Sequence, residues 1–159
     1  MNTAKRSKSN STPQRAVEKI IREKLAKPLD WLGTLEPRPV SYGKKGRMEF
    51  DCYGENNGAV LLGEINAHHG KLKPAQQNKV LRDMLKMHAK SEELKQAGTS
   101  SVRMVVVFTN VAAENYLKGG SWAAEVAQKF HIESVVVPLK AAQIKVLLKA
   151  QKDQDLREA

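Results

Sequence analysis

The feature that most constrains this fold is a nearly uninterrupted apolar run at residues 102–108, in which Val recurs. A run of this length without polar alternation is typical of a strand buried on both faces. Residues 135–137, together with Ile132, repeat that character after an intervening helical region. Because a strand, helix, strand order predicts a parallel crossover, the sheet needs helices on both of its faces.

The remaining elements follow from hydrophobic periodicity and from turn residues. Helices are predicted from Pro13 to Pro28, from Pro74 to about Gln96, across 112–117 and 122–130, and from Ala141 to about Gln154. Strands are predicted at 47–53 and 59–67, joined by a turn at 54–58, with a short strand at 40–42 after a loop at 29–39. This order predicts an α/β protein with a mixed sheet between layers of helices.

Length and composition predict one folded domain. A chain of 159 residues is the usual size of a single unit with one substantial core. Residues 1–12 are mostly Ser, Asn, Lys and Arg. They are predicted to form a disordered basic tail because they have almost nothing to bury. Residues 13–159 are predicted to form the single α/β domain.

Cysteine content and hydropathy predict where the protein resides. The lone Cys52 excludes an intramolecular disulfide framework and fits a reducing compartment. The first residues lack the apolar segment of a signal peptide, and no apolar run approaches the length of a membrane span. A cytoplasmic protein without a membrane partner is therefore expected.

The charge of the chain predicts a polyanionic partner. There are 27 Lys and Arg residues against 17 Asp and Glu residues, a formal net charge of +10. That excess favours nucleic acid and makes its binding salt-sensitive. Four lysines that flank the acidic part of the sequence are candidate nucleic-acid contacts: Lys44, Lys45, Lys71 and Lys73. For any one cluster taken alone, the alternative is a solvated surface.

Asp51 and Glu64 lie on the two strands of the predicted hairpin, Glu64 near the end of the second strand. By strict alternation Asp51 shares a face with Glu49 and Tyr53. Glu64 shares one with Asn66 in the same way. Carboxylates on neighbouring antiparallel strands can converge, and oxygen ligands suit a hard divalent cation. The pair is therefore a candidate site for Mg²⁺ or Mn²⁺.

This arrangement resembles the core of the PD-(D/E)XK nuclease superfamily over roughly residues 13–137. Members usually carry an Asp near the start of the second core strand and Glu-X-Lys on the third. The corresponding segments here are Met48-Glu49-Phe50-Asp51 and Gly63-Glu64-Ile65-Asn66. The resemblance implies a three-layer α/β sandwich with a mixed central sheet and a restriction-endonuclease-like core, in the order α-β-β-α-β-α-β-α.

The same resemblance implies a magnesium-dependent nuclease that hydrolyses the phosphodiester bonds of DNA. The metal ligands that it implies are Asp51, Glu64 and the main-chain carbonyl of Ile65. Asn66 stands where the superfamily usually has Lys. Its amide is neutral, so it cannot supply the positive charge that stabilises the transition state. The site therefore needs a cation from elsewhere in the chain.

Some members bring that lysine from the following helix, which implies Lys79 here, with Lys73 as the second choice. Gln76 lies one helical turn before Lys79 and is predicted to hydrogen-bond the attacking water or a phosphate oxygen. Glu18 on the first helix is either an outer acidic residue of the site or a solvent-facing helix residue. The predicted catalytic set is therefore Asp51, Glu64, Lys79 and Gln76.

Two other functions stay open at this point. The first is a non-catalytic nucleic-acid-binding or assembly module on a degenerate nuclease fold, which Asn66 favours. The second is a small intracellular protein whose basic charge serves only solubility, with Asp51 and Glu64 as solvated acids of a surface hairpin. The sequence also leaves open DNA or RNA as the partner, endo or exo cleavage, and a homodimer.

Overall fold

The computed structural model describes residues Thr12–Glu158 and contains five helices and one five-stranded sheet in that range. The helices are α1 (Thr12–Leu25), α2 (Pro74–Gln96), α3 (Val111–Lys118), α4 (Trp122–Lys129) and α5 (Ala141–Glu158). The strands are β1 (Glu36–Tyr42), β2 (Gly46–Asn56), β3 (Ala59–Asn66), β4 (Ser101–Phe108) and β5 (Ile132–Val136). The predicted basic tail lies outside the described residues, apart from Thr12. Among these helices, none combines the length and the hydrophobicity of a membrane span.

The sheet has the strand order β1-β2-β3-β4-β5, so strands that follow one another in sequence are also neighbours in space. The pairs β1/β2 and β2/β3 are antiparallel, whereas β3/β4 and β4/β5 are parallel. α2 connects β3 to β4, and α3 with α4 connects β4 to β5. The predicted mixed sheet and the predicted parallel crossover are confirmed.

The sheet separates two apolar cores, as the alternate residues of β4 make clear. Met104, Val106 and Phe108 pack with α2, α3 and α4 on one face. Val105 and Val107 pack with α1 and α5 on the other face. None of these five side chains is more than 3 % exposed. β4 is therefore buried on both faces, which explains its unbroken apolar sequence.

The β2–β3 turn is shorter than predicted. β2 continues to Asn56 and β3 begins at Ala59. Only Asn57 and Gly58 form the turn, with φ angles of 49° and 80°. Asn and Gly tolerate these left-handed conformations, and a two-residue turn of this kind suits the twist of a hairpin. The predicted turn at 54–58 is wrong because its first three residues pair with β3.

β1 begins at Glu36, inside a segment predicted to be a loop. Pro37 and Pro39 favoured the loop, since proline lacks the N–H group that a central strand needs. β1 is an edge strand, however, and an edge strand tolerates a missing donor. The loop prediction is therefore wrong for residues 36–39.

A β-bulge interrupts β2 at Asp51 and Cys52, two residues that lie opposite the single residue Pro37 of β1. A bulge breaks the alternation of side chains and re-aims them. Tyr53 packs in the core beneath α2, whereas Asp51 lines a cavity bounded by α1 and α5. Simple alternation therefore fails to predict the face on which Asp51 lies.

Candidate active site

The β2–β3 hairpin opens at one end, and the candidate site lies in that opening. The last paired position of the two strands is Cys52↔Gly63. Past it, Oδ2 of Asp51 accepts a hydrogen bond from the N–H of Ile65 at 2.9 Å. A side-chain carboxylate thus satisfies a backbone donor that a strand carbonyl would otherwise satisfy. We call Asp51 together with residues 64–66 the open end of the hairpin.

The carboxyl groups of Asp51 and Glu64 interact at the open end. Glu64 is only 3 % exposed. Burial, the charge of Asp51 and a side-chain hydrogen bond with Asp51 raise the pKa of Glu64 to about 9. Two adjacent carboxyl groups in a poorly solvated site cannot both ionise easily. A bound cation is the kind of group that relieves their repulsion.

One cation at the open end is Lys86 of α2, which sequence analysis did not single out. Its ammonium forms an ion pair with Oε1 of Glu64 and donates a hydrogen bond to the Glu49 carbonyl at 2.7 Å. It also lies 5.0 Å from the centre of the Phe50 ring, within the range of a cation–π contact. Lys86 therefore favours the ionised form of Glu64 and lowers its pKa, but by less than burial and Asp51 raise it.

Lys79, the predicted substitute for the missing cation, pairs with Asp83 one turn further along α2. Nζ of Lys79 lies 3.1 Å from Oδ2 of Asp83. Burial lowers the pKa of Lys79, but the charge of Asp83 and, more weakly, that of the acidic pair raise it above its ordinary value. Lys79 is therefore charged and lies within the field of the acidic pair. Lys86 follows Lys79 by seven residues, so the two lie on the same face of α2. This spacing could have identified Lys86 from the sequence.

A cavity of about 270 Å³ adjoins the open end. Of the predicted site residues, Asp51, Ile65, Gln76 and Lys79 line this cavity. Glu64 is not among the residues that line it. Glu18 of α1 also lines the cavity, where burial and the nearby charge of Asp51 raise its pKa. Glu18 is therefore an acidic residue of the cavity and not a purely solvent-facing one.

Asn66, the last residue of β3, and His68, which lies just after the strand, both line the cavity. Asn66 is 2 % exposed, and its Oδ1 accepts a hydrogen bond from the N–H of His68 at 3.1 Å. Its Nδ2 has no hydrogen-bond partner within residues 12–158. Burial, more than the neighbouring charges, lowers the pKa of His68, so its imidazole is neutral at pH 7. The cavity thus has uncharged hydrogen-bonding groups beside its acids.

Lys71 and Lys73, two of the predicted nucleic-acid contacts, lie just before α2 with exposed side chains. Lys73 is the N-cap residue of α2, and its Nζ lies 3.7 Å from Oδ2 of Asp155 on α5. Both helices contribute to the cavity wall. Lys73 therefore bridges two walls of the cavity and lies at its rim.

Lys44 and Lys45 lie elsewhere, on the exposed β1–β2 turn. The N–H of Gly43 in this turn donates to Oε2 of Glu93 at 2.7 Å. Glu93 follows Lys79 by fourteen residues of α2, which is about 21 Å along the helix axis. The structure therefore does not bring all the predicted lysines to one groove beside the acidic pair.

The residues at the open end fit a partly hydrated divalent cation. In the part of the chain that the structure describes, no three Asp, Glu, His or Cys side chains are grouped to hold a metal ion. Asp51 and Glu64 offer two interacting carboxyl groups, and Ile65, whose N–H bonds to Asp51, directly follows Glu64 in the sequence. Mg²⁺ commonly takes one or two protein carboxylates and keeps several waters. A dehydrated, fully protein-coordinated ion does not suit this donor set.

Comparison with known proteins adds no relative. No protein-family model matches the chain, and neither does a curated protein or a solved structure. The chemistry of the open end and its cavity therefore carries the functional conclusion.

Proposed function

We propose that this protein is a metal-dependent nuclease that hydrolyses phosphodiester bonds of DNA. The observation that carries the proposal is the interaction of the buried Glu64 carboxyl with the half-buried carboxylate of Asp51. Asp51 lines a cavity that Lys79 also lines. A buried carboxyl group whose pKa is raised by burial and by a neighbouring carboxylate is costly to a fold, and such groups occur more often at functional sites than elsewhere.

The sheet supports this proposal. Restriction-endonuclease-like proteins are expected to carry the acidic pair on a β-hairpin that continues into parallel strands through a helix. Here antiparallel β1, β2 and β3 continue through α2 into parallel β4 and β5. The bulge at Asp51 adds to the argument, because bulges are frequent beside active sites.

Each residue of the site has a chemical role in the proposed reaction. A bound Mg²⁺ or Mn²⁺ would supply Lewis-acid activation of the phosphate and of water. Asp51 and Glu64 would hold that ion, with the carbonyl of Ile65 as a further oxygen ligand. The Lys79 ammonium, oriented by Asp83, would stabilise the negative charge that develops on the phosphoryl oxygens. Gln76 would donate a hydrogen bond to the water or to a phosphate oxygen.

A non-catalytic nucleic-acid-binding module is the second candidate, and two observations favour it. Asn66 lies at the position of the usual lysine and is buried. The Lys86 ammonium already lies against Oε1 of Glu64, so this carboxyl group has a cationic partner without any metal. Such a protein would bind DNA and would leave it uncut.

Cleavage assays separate these candidates. Plasmid, linear duplex and single-stranded DNA are incubated with the protein in Mg²⁺, Mn²⁺ or chelator. The nuclease cuts at least one of them only with metal. Lys79→Ala is expected to lose about 10²-fold or more of the rate with little loss of binding. Lys95→Ala on the same helix, an exposed lysine paired with Glu92, is the matched control and keeps its activity.

Asn66→Lys completes the test. In the Lys79→Ala background it is expected to restore part of the rate, because it places an ammonium beside the acidic pair. Wild-type protein that binds DNA and cuts no substrate, combined with activity in Asn66→Lys alone, would establish the binding module instead.

A further inference from the structure

The cavity beside the acidic pair has an amide-rich wall that phosphodiester hydrolysis does not require. Five amide side chains line it, among them Gln14 of α1, Asn66 of β3 and Gln151 of α5. Such side chains are the ones that proteins use to read the edges of nucleobases. Their convergence from separate elements calls for a ligand that pairs with them.

These amides leave hydrogen-bonding groups available to a ligand. Nε2 of Gln14 donates to Oε1 of Glu18 at 3.4 Å, which leaves its carbonyl oxygen. Oε1 of Gln151 accepts from the N–H of His69 at 2.8 Å, which leaves its NH₂ group. Nδ2 of Asn66 is buried without a partner in the described part of the chain. The wall therefore offers both donors and an acceptor, which is the pattern of a base edge.

An unpartnered buried amide nitrogen is the strongest of these observations. Leaving such a donor unpaired is unfavourable, so a native protein that keeps one has a reason for it. Asn66 directly follows Ile65, the proposed main-chain metal ligand, in the sequence. It also lines the same cavity as Lys79. A ligand that pairs with Asn66 therefore shares the cavity with the Lys79 ammonium.

The shape of the cavity limits what can enter. Its volume of about 270 Å³ is close to the lower end of small-molecule sites, about 300 Å³. α5 closes one side, held by the buried Leu147 and by the bond from His69 to Gln151. A base pair hides the Watson–Crick edges of its bases and does not fit such a space. An unpaired base fits, and His68, which lines the cavity, has an aromatic ring of the kind on which bases stack.

We infer that this cavity takes one unpaired nucleotide, with the base edge on the amides of Asn66 and Gln151 and the phosphate toward Lys79. The inference rests on the proposed nuclease function and narrows its substrate class. The substrate is then single-stranded DNA, or duplex DNA with an unpaired end, gap or bulge. Blunt, fully paired DNA reaches the site only through fraying.

Binding measured in chelator tests this inference without any cleavage. Fluorescence anisotropy compares a single-stranded oligonucleotide, a blunt duplex and the same duplex with a short unpaired overhang, all at one salt concentration. The two substrates with unpaired nucleotides are expected to bind about 10-fold more tightly than the blunt duplex.

Gln151→Glu removes the NH₂ donors and keeps an oxygen for the N–H of His69. It is expected to abolish the preference for unpaired nucleotides. Gln128→Glu on α4, an exposed residue, introduces the same charge away from the cavity and keeps the preference. Asn66→Leu, an uncharged variant, should behave as Gln151→Glu does.

Equal affinity for blunt and unpaired DNA, or a preference that survives in Gln151→Glu, would overturn the inference. The experiments distinguish failure of this inference from failure of the nuclease proposal. Metal-dependent cutting of blunt DNA without any preference would keep the nuclease and remove the nucleotide pocket. A preference for unpaired nucleotides without cutting in any metal would keep the pocket and remove the nuclease.

Discussion

The two ends of the β2–β3 hairpin satisfy their backbone groups in different ways. At the paired end, from the Asn57-Gly58 turn to Cys52↔Gly63, the strands bond to each other. At the open end, the N–H of Ile65 bonds to the side chain of Asp51. The paired end is thus held by the backbone of both strands, whereas at the open end β3 keeps its ladder with β4 and bonds to β2 through the carboxylate of Asp51.

Burial sharpens the difference between these ends. β3 buries Leu61 and Leu62 at the paired end, and it buries Glu64 and Asn66 at the open end, all at 3 % exposure or less. Burying polar groups costs free energy unless they are paired. β3 thus buries apolar groups at its paired end and polar groups, which belong to the candidate site, at its open end. The predictions that follow test this division.

The largest effect is expected at Asp51, through two matched variants. Asp51→Asn keeps an oxygen acceptor for the N–H of Ile65 and should retain the stability of the protein. Asp51→Ala removes the acceptor and should lose about 1–3 kcal/mol, the cost of a buried unpaired donor. Both should lower metal-dependent cleavage by about 10²-fold or more, because both remove a metal ligand. Urea denaturation and a cleavage assay measure the two properties.

Equal stability of the two variants would contradict the structural role of Asp51. Full cleavage in Asp51→Asn would contradict its role as a ligand.

The second effect concerns the pH dependence of stability. Burial and Asp51 raise the pKa of Glu64 from 4.5 to about 9, so the folded protein holds the proton more tightly than the unfolded chain. Stability is then greatest below about pH 4.5, as far as this group is concerned, and falls as the pH rises toward 9. The total is on the order of a few kcal/mol, since each pKa unit is about 1.4 kcal/mol.

Glu64→Gln should remove most of this slope and leave a metal-free protein that is more stable than wild type at pH 8. Glu18, whose pKa is also raised, should leave a small residual slope of the same sign. The midpoints of urea denaturation of wild type and Glu64→Gln, measured between pH 5 and pH 9, give the slope of stability against pH for each protein. A wild-type midpoint that rises across this range would contradict the assignment.

The third effect tests the paired end alone. A Cβ added at Gly63 would lie 2.9 Å from Cβ of Cys52, closer than the packed strands allow. Gly63→Ala should therefore destabilise the protein by about 1–3 kcal/mol, as overpacking does. Gly120→Ala, whose Cβ meets nothing within 4 Å, is the control and should change stability little. Thermal or urea unfolding without metal is the measurement, and a neutral Gly63→Ala would contradict the close packing.

The smallest effect is expected far from the open end, at Lys44 and Lys45. Alanine at both positions should weaken DNA binding a few-fold and reduce the slope of log K against log salt by about two. The cleavage rate at saturating DNA should stay unchanged. Lys118→Ala with Lys129→Ala, two exposed lysines of α3 and α4, is the charge-matched control. An unchanged salt slope would place the β1–β2 turn outside the DNA contact surface.

Most of the fold is predictable from local sequence patterns. The long apolar run of β4 and the periodicity of α2 identify those elements because burial and helix geometry leave a direct trace in sequence. β1 leaves no such trace. Its two prolines favour a loop, and only its place at the sheet edge makes them acceptable. That place is a property of the assembled sheet.

The candidate site shows the same difference between features that local sequence determines and features that long-range packing determines. Asp51 and Glu64 could be selected as candidates from their strand positions, which are local, and Lys79 from its place on α2 together with the resemblance to the nuclease superfamily. The bulge that re-aims Asp51 could not, because it depends on how β2 pairs with β1. Gln151 could not either, since α5 reaches the cavity only through packing on the sheet. Long-range docking decides those positions.

The central claim is that the open end holds a divalent cation between Asp51 and Glu64. Calorimetric titration of Mn²⁺ into the DNA-free protein at pH 8 tests it most directly. Wild-type protein should bind one ion with release of protons, because binding must ionise the Glu64 carboxyl, and Asp51→Asn should lose this binding. Absence of binding in wild-type protein, or the same affinity in Asp51→Asn, would contradict the claim.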